Sequence, residues 1–78
     1  MEQKVSPERL QKIFREEVIR YDMERYGVSI RYGYTRQFHE AEYTPADKMI
    51  TVRRGLDPTE RRIRTLIRHE FKHVRKDK

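Results

Sequence analysis

The sequence predicts a small α+β domain: an N-terminal helix, a three-stranded antiparallel sheet and a C-terminal helix. Three observations predict this class. Apolar residues recur at helical spacing near both ends of the chain, they alternate with polar residues between positions 28 and 53, and turn-forming residues separate these segments. With 78 residues, the chain is expected to form one domain over 1–78, with a flexible terminus at residues 1–5.

The first helix is expected over about residues 7–26. Ser6 and Pro7 form a typical helix start, because a serine side chain caps the first turn and proline fits its first position. Gly27 is a natural stop. The apolar residues that form one stripe along this helix are Leu10, Ile13, Phe14, Val18 and Tyr21.

Three strands are expected after this helix, at residues 28–32, 37–43 and 49–53, with turns at 33–36 and 45–48. The second strand has two possible inward faces: His39, Ala41 and Tyr43 on one side, or Phe38, Glu40 and Glu42 on the other. We expect the face with His39 to point inward, because burial of two glutamates is costly.

The second helix is expected over about residues 58–75. Asp57 is the predicted cap, Pro58 takes the first helical position, and Glu60 completes a capping box. The residues of its predicted core stripe are Ile63, Leu66, Ile67, Phe71 and Val74.

The candidate site lies near the end of this helix, in the segment HEFKH at residues 69–73. Residues four apart on a helix share a face, so His69 and His73 can direct their imidazoles at one metal ion. They flank the apolar stripe, which places them at the side of the core rather than on the outermost face. The alternative is that both histidines are ordinary surface residues of a basic helix.

The motif resembles the active-site helix of zincin metallopeptidases. The order of elements before it is similar to that of compact gluzincin-like and SprT-like peptidase domains, and AEYTPADKMITVRRGLDPTERRIRTLIRHEFKH, residues 41–73, has their rhythm. This resemblance implies that His69 and His73 bind Zn²⁺, that Glu70 is the catalytic base, and that the substrate is a peptide or protein. It also implies that the strand around residues 50–53 borders the cleft with an open edge for an extended peptide.

The chain departs from these families at three points. Lys72 and Arg75 are charged where the families favour uncharged residues, and the families take a third ligand from a helix after the motif, where only residues 74–78 follow here. His39 is the internal candidate for a third ligand. Glu40 or Glu42 replaces it if the second strand has the other register, and a partner subunit or water molecules are further sources.

Composition sets limits on other functions. The chain has no cysteine, which excludes disulfides and thiolate metal sites. No apolar run is long enough to span a membrane and no signal peptide is recognisable, so an intracellular, cytoplasmic location is expected.

The net charge of +6 suggests a second class of partner. A basic surface attracts nucleic acid, and the candidate phosphate-binding residues are Arg61, Arg64, Arg68 and Arg75. No recognised nucleic-acid-binding motif accompanies them. A further alternative is an inactive scaffold that keeps a zincin-like fold for protein contacts.

Overall fold

The computed structural model describes residues 5–55 and 58–76. Its elements are α1 (Pro7–Arg20), a short 3₁₀ helix (Glu24–Tyr26), β1 (Ser29–Gly33), β2 (Ala41–Thr44), β3 (Met49–Arg53) and α2 (Glu60–Lys76). The two helices pack on one face of a three-stranded sheet, and the apolar side chains between these two layers form the core. The predicted α+β class is therefore confirmed.

The strand order is β1-β3-β2, and the prediction of an antiparallel sheet is wrong. β2 and β3 form the expected antiparallel hairpin, but β1 pairs with β3 in parallel. Residues 34–40 carry the chain past the end of β3 to its far side. Two backbone hydrogen bonds hold this passage, from Arg54 N–H to the Gly33 carbonyl and from Arg53 N–H to the Glu40 carbonyl, both 2.8 Å.

β3 is central because it can be buried on both faces. Ile50, Thr51 and Val52 are consecutive and all three are buried. The neighbouring strands direct charged residues away from the helices instead, which is typical of edge strands. The prediction that the strand at residues 50–53 has an open edge beside the cleft is thus wrong, because β3 is paired on both sides and β2 is the edge strand near α2.

The register places one apolar residue from each strand side by side. Ile30 and Tyr43 both pair with Ile50, so these three side chains lie on the helix-facing side. Ala41 and Tyr43 pack against the core, as the favoured register predicts. His39 does not follow them, since β2 begins only at Ala41.

α1 is shorter than predicted because the chain reverses direction directly after it. The Ser6 cap is confirmed, since its Oγ accepts a hydrogen bond of 3.1 Å from Arg9 N–H. The helix ends at Arg20, Asp22 adopts a left-handed conformation with φ of 54°, and Met23 turns into the core at 1% exposure. The expected stop at Gly27, with φ of 63°, instead ends the 3₁₀ helix.

α2 begins at Glu60, slightly later than predicted. The predicted cap, Asp57, lies outside the described residues. Thr59 caps the helix: its Oγ1 accepts a hydrogen bond from Arg62 N–H, and its carbonyl accepts one from Ile63 N–H. The predicted core stripe is confirmed, since all five of its residues are buried.

The N-terminal segment is attached to the core at Val5. The predicted flexible terminus covers residues 1–5, of which 1–4 lie outside the described residues. Val5 itself is buried, and its carbonyl accepts a hydrogen bond of 2.7 Å from the Tyr32 hydroxyl. Val5 therefore belongs to the core, and the predicted flexibility of the terminus stays a prediction.

A buried carboxylate joins the two helices. Glu17 has no exposed surface, and its two oxygens pair with Arg64 Nη1 at 2.7 Å and Arg68 Nε at 2.8 Å. Arg64 also pairs with Glu16 and with Glu60. The helix–helix contact thus combines aromatic packing of Phe71 with an ion-pair network.

Neither helix of the described part of the chain combines the length and the apolar character that a membrane span requires.

Replacement of Glu17 by alanine is expected to destabilise the fold. We expect a loss of about 2 kcal/mol in the free energy of unfolding, below the roughly 3–5 kcal/mol of a fully buried pair because both arginines keep access to water. Glu16→Ala is the matched control. The Glu16 side chain is 54% exposed and also pairs with Arg64, so its loss should cost under about 1 kcal/mol. Urea unfolding checks both values, and equal costs for the two variants contradict the prediction.

Candidate metal centre

α2 brings the two motif histidines together on its cleft-facing flank. Both side chains are exposed, and their ring centroids lie 5.1 Å apart with an interplanar angle of 81°. One ligand atom each from His69, Glu70 and His73 lies within 4.8 Å of the others. The predicted metal pair and the predicted base therefore form one cluster.

The donor set suits zinc in type. Neutral imidazole nitrogens are common zinc ligands, and two nitrogens on the same tetrahedral ion lie about 3.4 Å apart. The ligand atoms of His69 and His73 lie within 4.8 Å of each other, so the two rings need to come closer to share an ion only if their nitrogens are not already at that spacing. Neither ring belongs to the core.

Glu70 differs from the two histidines because it is buried. Its exposure is 5%, and it accepts a backbone hydrogen bond from Tyr43 in the edge strand β2. The hydrogen-bonding pattern explains this partner. The Glu40 carbonyl accepts a hydrogen bond from Arg53 N–H across the hairpin. Because the direction of the backbone groups alternates along an antiparallel strand, those of Glu42 also point toward β3 and those of Tyr43 point outward, toward α2.

Burial raises the pKa of the Glu70 carboxyl above its ordinary value, because the charged form loses water. The neighbouring charges act in both directions. His69 and His39 lower this pKa, Glu42 raises it, and the hydrogen bond from Tyr43 lowers it, but the net shift is upward. A raised pKa is the direction that a general base near neutral pH requires.

The cluster opens into a cleft of about 780 Å³ between α2 and the outer edge of β2. One wall consists of α2 from Arg62 to His73, and the other consists of the segment from Arg36 to Pro45. The second wall includes the edge of the sheet, so the candidate metal ligands face a strand that has an unpaired side within the described residues.

His39 lies on the wall opposite α2, in a turn before β2. Its side chain is 52% exposed, and its Nδ1 lies 3.1 Å from Glu42 Oε1. The same carboxylate oxygen accepts a hydrogen bond of 2.5 Å from the backbone N–H of Arg36. The expectation that His39 points inward beneath the sheet is wrong, but the residue lines the same cleft as His69 and His73.

Glu40 is engaged at the end of the cleft nearest the start of α2. Its two carboxylate oxygens accept hydrogen bonds from Nε and Nη2 of Arg62. The paired guanidinium lowers the pKa of Glu40. This bidentate pair links the two walls of the cleft.

The four arginines proposed for nucleic-acid contact are not equivalent. Arg64 and Arg68 pair with Glu17, and Arg75 donates a hydrogen bond of 3.3 Å to the Tyr21 carbonyl. Arg61 is exposed. These ion pairs neutralise much of the positive charge that binding to a phosphate backbone requires.

The sequence did not reveal the roles of two carboxylates, Glu42 in the cleft and Glu17 between the two helices. Glu42 appeared only as a substitute ligand, and its role beside His39 depends on a turn that has no clear sequence signal. Glu17 was overlooked, although it lies three residues after Phe14 and four before Tyr21, within the apolar stripe. A carboxylate in that position indicates a buried partner.

Comparison with protein-family models, with curated proteins and with solved structures finds no match to this chain. The functional assignment therefore depends on the chemistry and geometry of the cleft.

Glu70→Gln is expected to stabilise the zinc-free protein at pH 7. The folded-state pKa of Glu70 lies above its ordinary value of 4.5, so its favourable contribution is complete below that value and is lost as pH rises through the raised pKa. Glutamine still accepts the hydrogen bond from Tyr43 but carries no charge. Thermal unfolding from acid to neutral pH should show a flatter stability profile for the variant.

Glu24→Gln is the control for this measurement, since Glu24 is exposed and its replacement should change stability by no more than about 0.5 kcal/mol. A Glu70→Gln variant less stable than the parent at pH 7 contradicts the idea that burial disfavours the charged carboxylate.

Proposed function

We propose that this protein is a zinc-dependent peptidase in which His69 and His73 hold the metal and Glu70 is the general base. The observation that supports this most is the convergence of two imidazoles and one buried carboxylate within 4.8 Å at a cleft beside a strand edge. If both histidines were ordinary surface residues of a basic helix, we would not expect them to converge with a buried carboxylate at a cleft.

Zinc, when bound, supplies a Lewis acid that lowers the pKa of a water molecule to about 7. Glu70 accepts the proton of the attacking water and passes it to the departing amine. A carboxylate has two oxygens, so one can keep the hydrogen bond from Tyr43 while the other takes the proton. Burial favours this role, because it raises the pKa of Glu70.

The proposed substrate is an extended peptide lying along β2. Ala41 directs its backbone groups to the outer edge, in the arrangement that strand addition uses, whereas the Tyr43 N–H at that edge already donates to Glu70. This position places the peptide backbone beside α2 and the metal ligands. The resemblance implies the neighbouring strand, β3. Because β3 is paired on both sides, we assign the proposed role to β2 instead.

An inactive scaffold is the second candidate, and the hydrogen bond between Glu70 and Tyr43 favours it. Gln11 forms a comparable bond at the other edge of the sheet, where its Nε2 donates to the Ile30 carbonyl at 2.8 Å. Covering the edges of a sheet is a structural task that needs no metal. The two candidates differ in zinc binding and in peptide hydrolysis.

We expect the purified protein to bind about one zinc ion per chain, as one cluster of this type allows. His69→Ala and His73→Ala should abolish tight binding, whereas Glu70→Gln should retain zinc and lose hydrolysis of an unstructured protein substrate. Metal content after gel filtration and cleavage monitored by mass spectrometry check these outcomes.

Lys72→Ala is the matched control, because Lys72 lies between the two histidines in sequence but is exposed outside the cleft lining. Zinc binding that survives in both histidine variants contradicts the assignment. A protein that binds no zinc but binds DNA with an affinity that falls steeply with salt favours the nucleic-acid alternative.

A further inference from the structure

We infer that His39, oriented by Glu42, is the third protein ligand of the metal site and binds it from the wall opposite α2. This inference rests on the proposed zinc site at His69 and His73. It assigns the remaining position to a residue upstream of the motif helix, in the turn before β2.

The need for another ligand follows from zinc chemistry. Catalytic zinc sites take three protein ligands and leave one position for water or substrate. α2 supplies two imidazoles, and Glu70 is excluded as a third ligand if it acts as the base. The histidine and carboxylate side chains on the opposite wall of the cleft are His39, Glu40 and Glu42.

Glu40 is the weakest of these candidates because Arg62 occupies both of its oxygens. Metal binding by Glu40 requires that a bidentate, charge-assisted pair be broken and leaves the guanidinium next to the cation. Both effects oppose metal binding at this position.

His39 has a partner on one ring nitrogen and an available lone pair on the other. A carboxylate only accepts hydrogen bonds, so the contact of Nδ1 with Glu42 Oε1 at 3.1 Å places the proton on Nδ1. Nε2 then carries the lone pair, and it has no hydrogen bond to any other residue within 5–55 or 58–76. Metal-binding histidines commonly have this arrangement, with the second nitrogen donating to a carboxylate.

Glu42 is itself held in place, which makes it suited to orienting the ring. Its Oε1 accepts the 2.5 Å hydrogen bond from Arg36 N–H, and its side chain is only 22% exposed. The dyad of His39 and Glu42 is therefore anchored to the backbone of its own turn.

The turn that presents His39 is closed by two further hydrogen bonds. His39 N–H donates to the Arg36 carbonyl at 3.0 Å, and the Thr35 hydroxyl donates to the His39 carbonyl at 2.5 Å. Phe38, just before His39, has φ of 70°, in the left-handed region that bulky residues rarely adopt. Such a conformation is strained and is commonly retained where it positions a functional group.

The location of His39 agrees with this role. It lines the same cleft as His69, His73 and the buried Glu70 of α2. It lies outside the 4.8 Å group of His69, Glu70 and His73, so binding of a shared ion requires the turn that carries His39 to approach α2.

The test measures Zn²⁺ affinity by competition with a chromophoric chelator for the full chain and its variants. We expect His39→Ala to weaken binding by more than the roughly 10- to 100-fold that follows loss of a ligand's hydrogen-bond partner. Glu42→Gln should weaken it less than His39→Ala, because glutamine still accepts the bond from Nδ1. Gln37→Ala, an exposed neighbour in the same turn, should bind zinc like the parent.

Two measurements independent of activity accompany the affinities. Cobalt(II) in place of zinc should lose visible absorption intensity in His39→Ala, because water replaces a nitrogen ligand and the coordination expands. In the metal-free parent, the ¹⁵N spectrum of His39 at a pH of about 8, where an ordinary imidazole is neutral, should show the proton on Nδ1. Circular dichroism of each variant verifies the fold.

The outcomes separate this inference from the proposed function. If His39→Ala binds zinc like the parent while His69→Ala does not, the zinc site stands and the role of His39 is wrong. If Glu42→Gln loses more affinity than His39→Ala, Glu42 itself is the ligand and the dyad is overturned. If the parent binds no zinc, both proposals fail together.

Discussion

The rotation of α2 about its own axis is the constraint on which the candidate site depends. Two buried carboxylate contacts set it from opposite sides. Glu17 of α1 binds Arg64 and Arg68 on one flank, and Glu70 on the other flank accepts a hydrogen bond from Tyr43 in β2. A helix held in this way directs one narrow strip into the cleft, and that strip contains His69 and His73. A change of one residue in phase turns both imidazoles away from the wall that carries His39.

Through its contact with Tyr43, the Glu70 side chain serves the fold and has the properties that its proposed chemical role requires. It covers a backbone donor at the outer edge of the sheet, as Gln11 covers an acceptor at the opposite edge. It also keeps a carboxylate in a poorly hydrated position, which raises its pKa and prepares it to accept a proton. Coverage of the sheet edge and the proposed role as a base are therefore compatible uses of the same side chain, because only one of its oxygens is needed for the edge.

Much of the fold could be predicted from local patterns. The Ser6 cap, the core stripe of α2 and the bounds of β3 depend on nearby residues, and local physics decides them. The strand order depends instead on which strand can be buried on two faces. The run of β-branched residues at Ile50, Thr51 and Val52 is the sequence signal for a central strand, but hairpin pairing between consecutive strands is the simpler assumption.

The part of the site that depends on local spacing could also be predicted. Helical spacing brings His69 and His73 together without reference to the rest of the chain. The position of His39 depends on a left-handed Phe38, which bulky residues seldom adopt, and on where β2 begins. Alternation alone therefore assigned His39 to a strand that starts two residues later. Glu17 was missed because a charged residue in an apolar stripe is explained only by partners on another helix.

The charged residues that depart from the zincin pattern lie away from the cleft. Lys72 is exposed and does not line it, and Arg75 reaches across to the Tyr21 carbonyl at the end of α1. Neither charge therefore faces the metal cluster. On the proposal made above, the third ligand comes from the opposite wall, where the turn before β2 holds His39. The charges of Lys72 and Arg75 therefore do not interfere with the proposed ligand set.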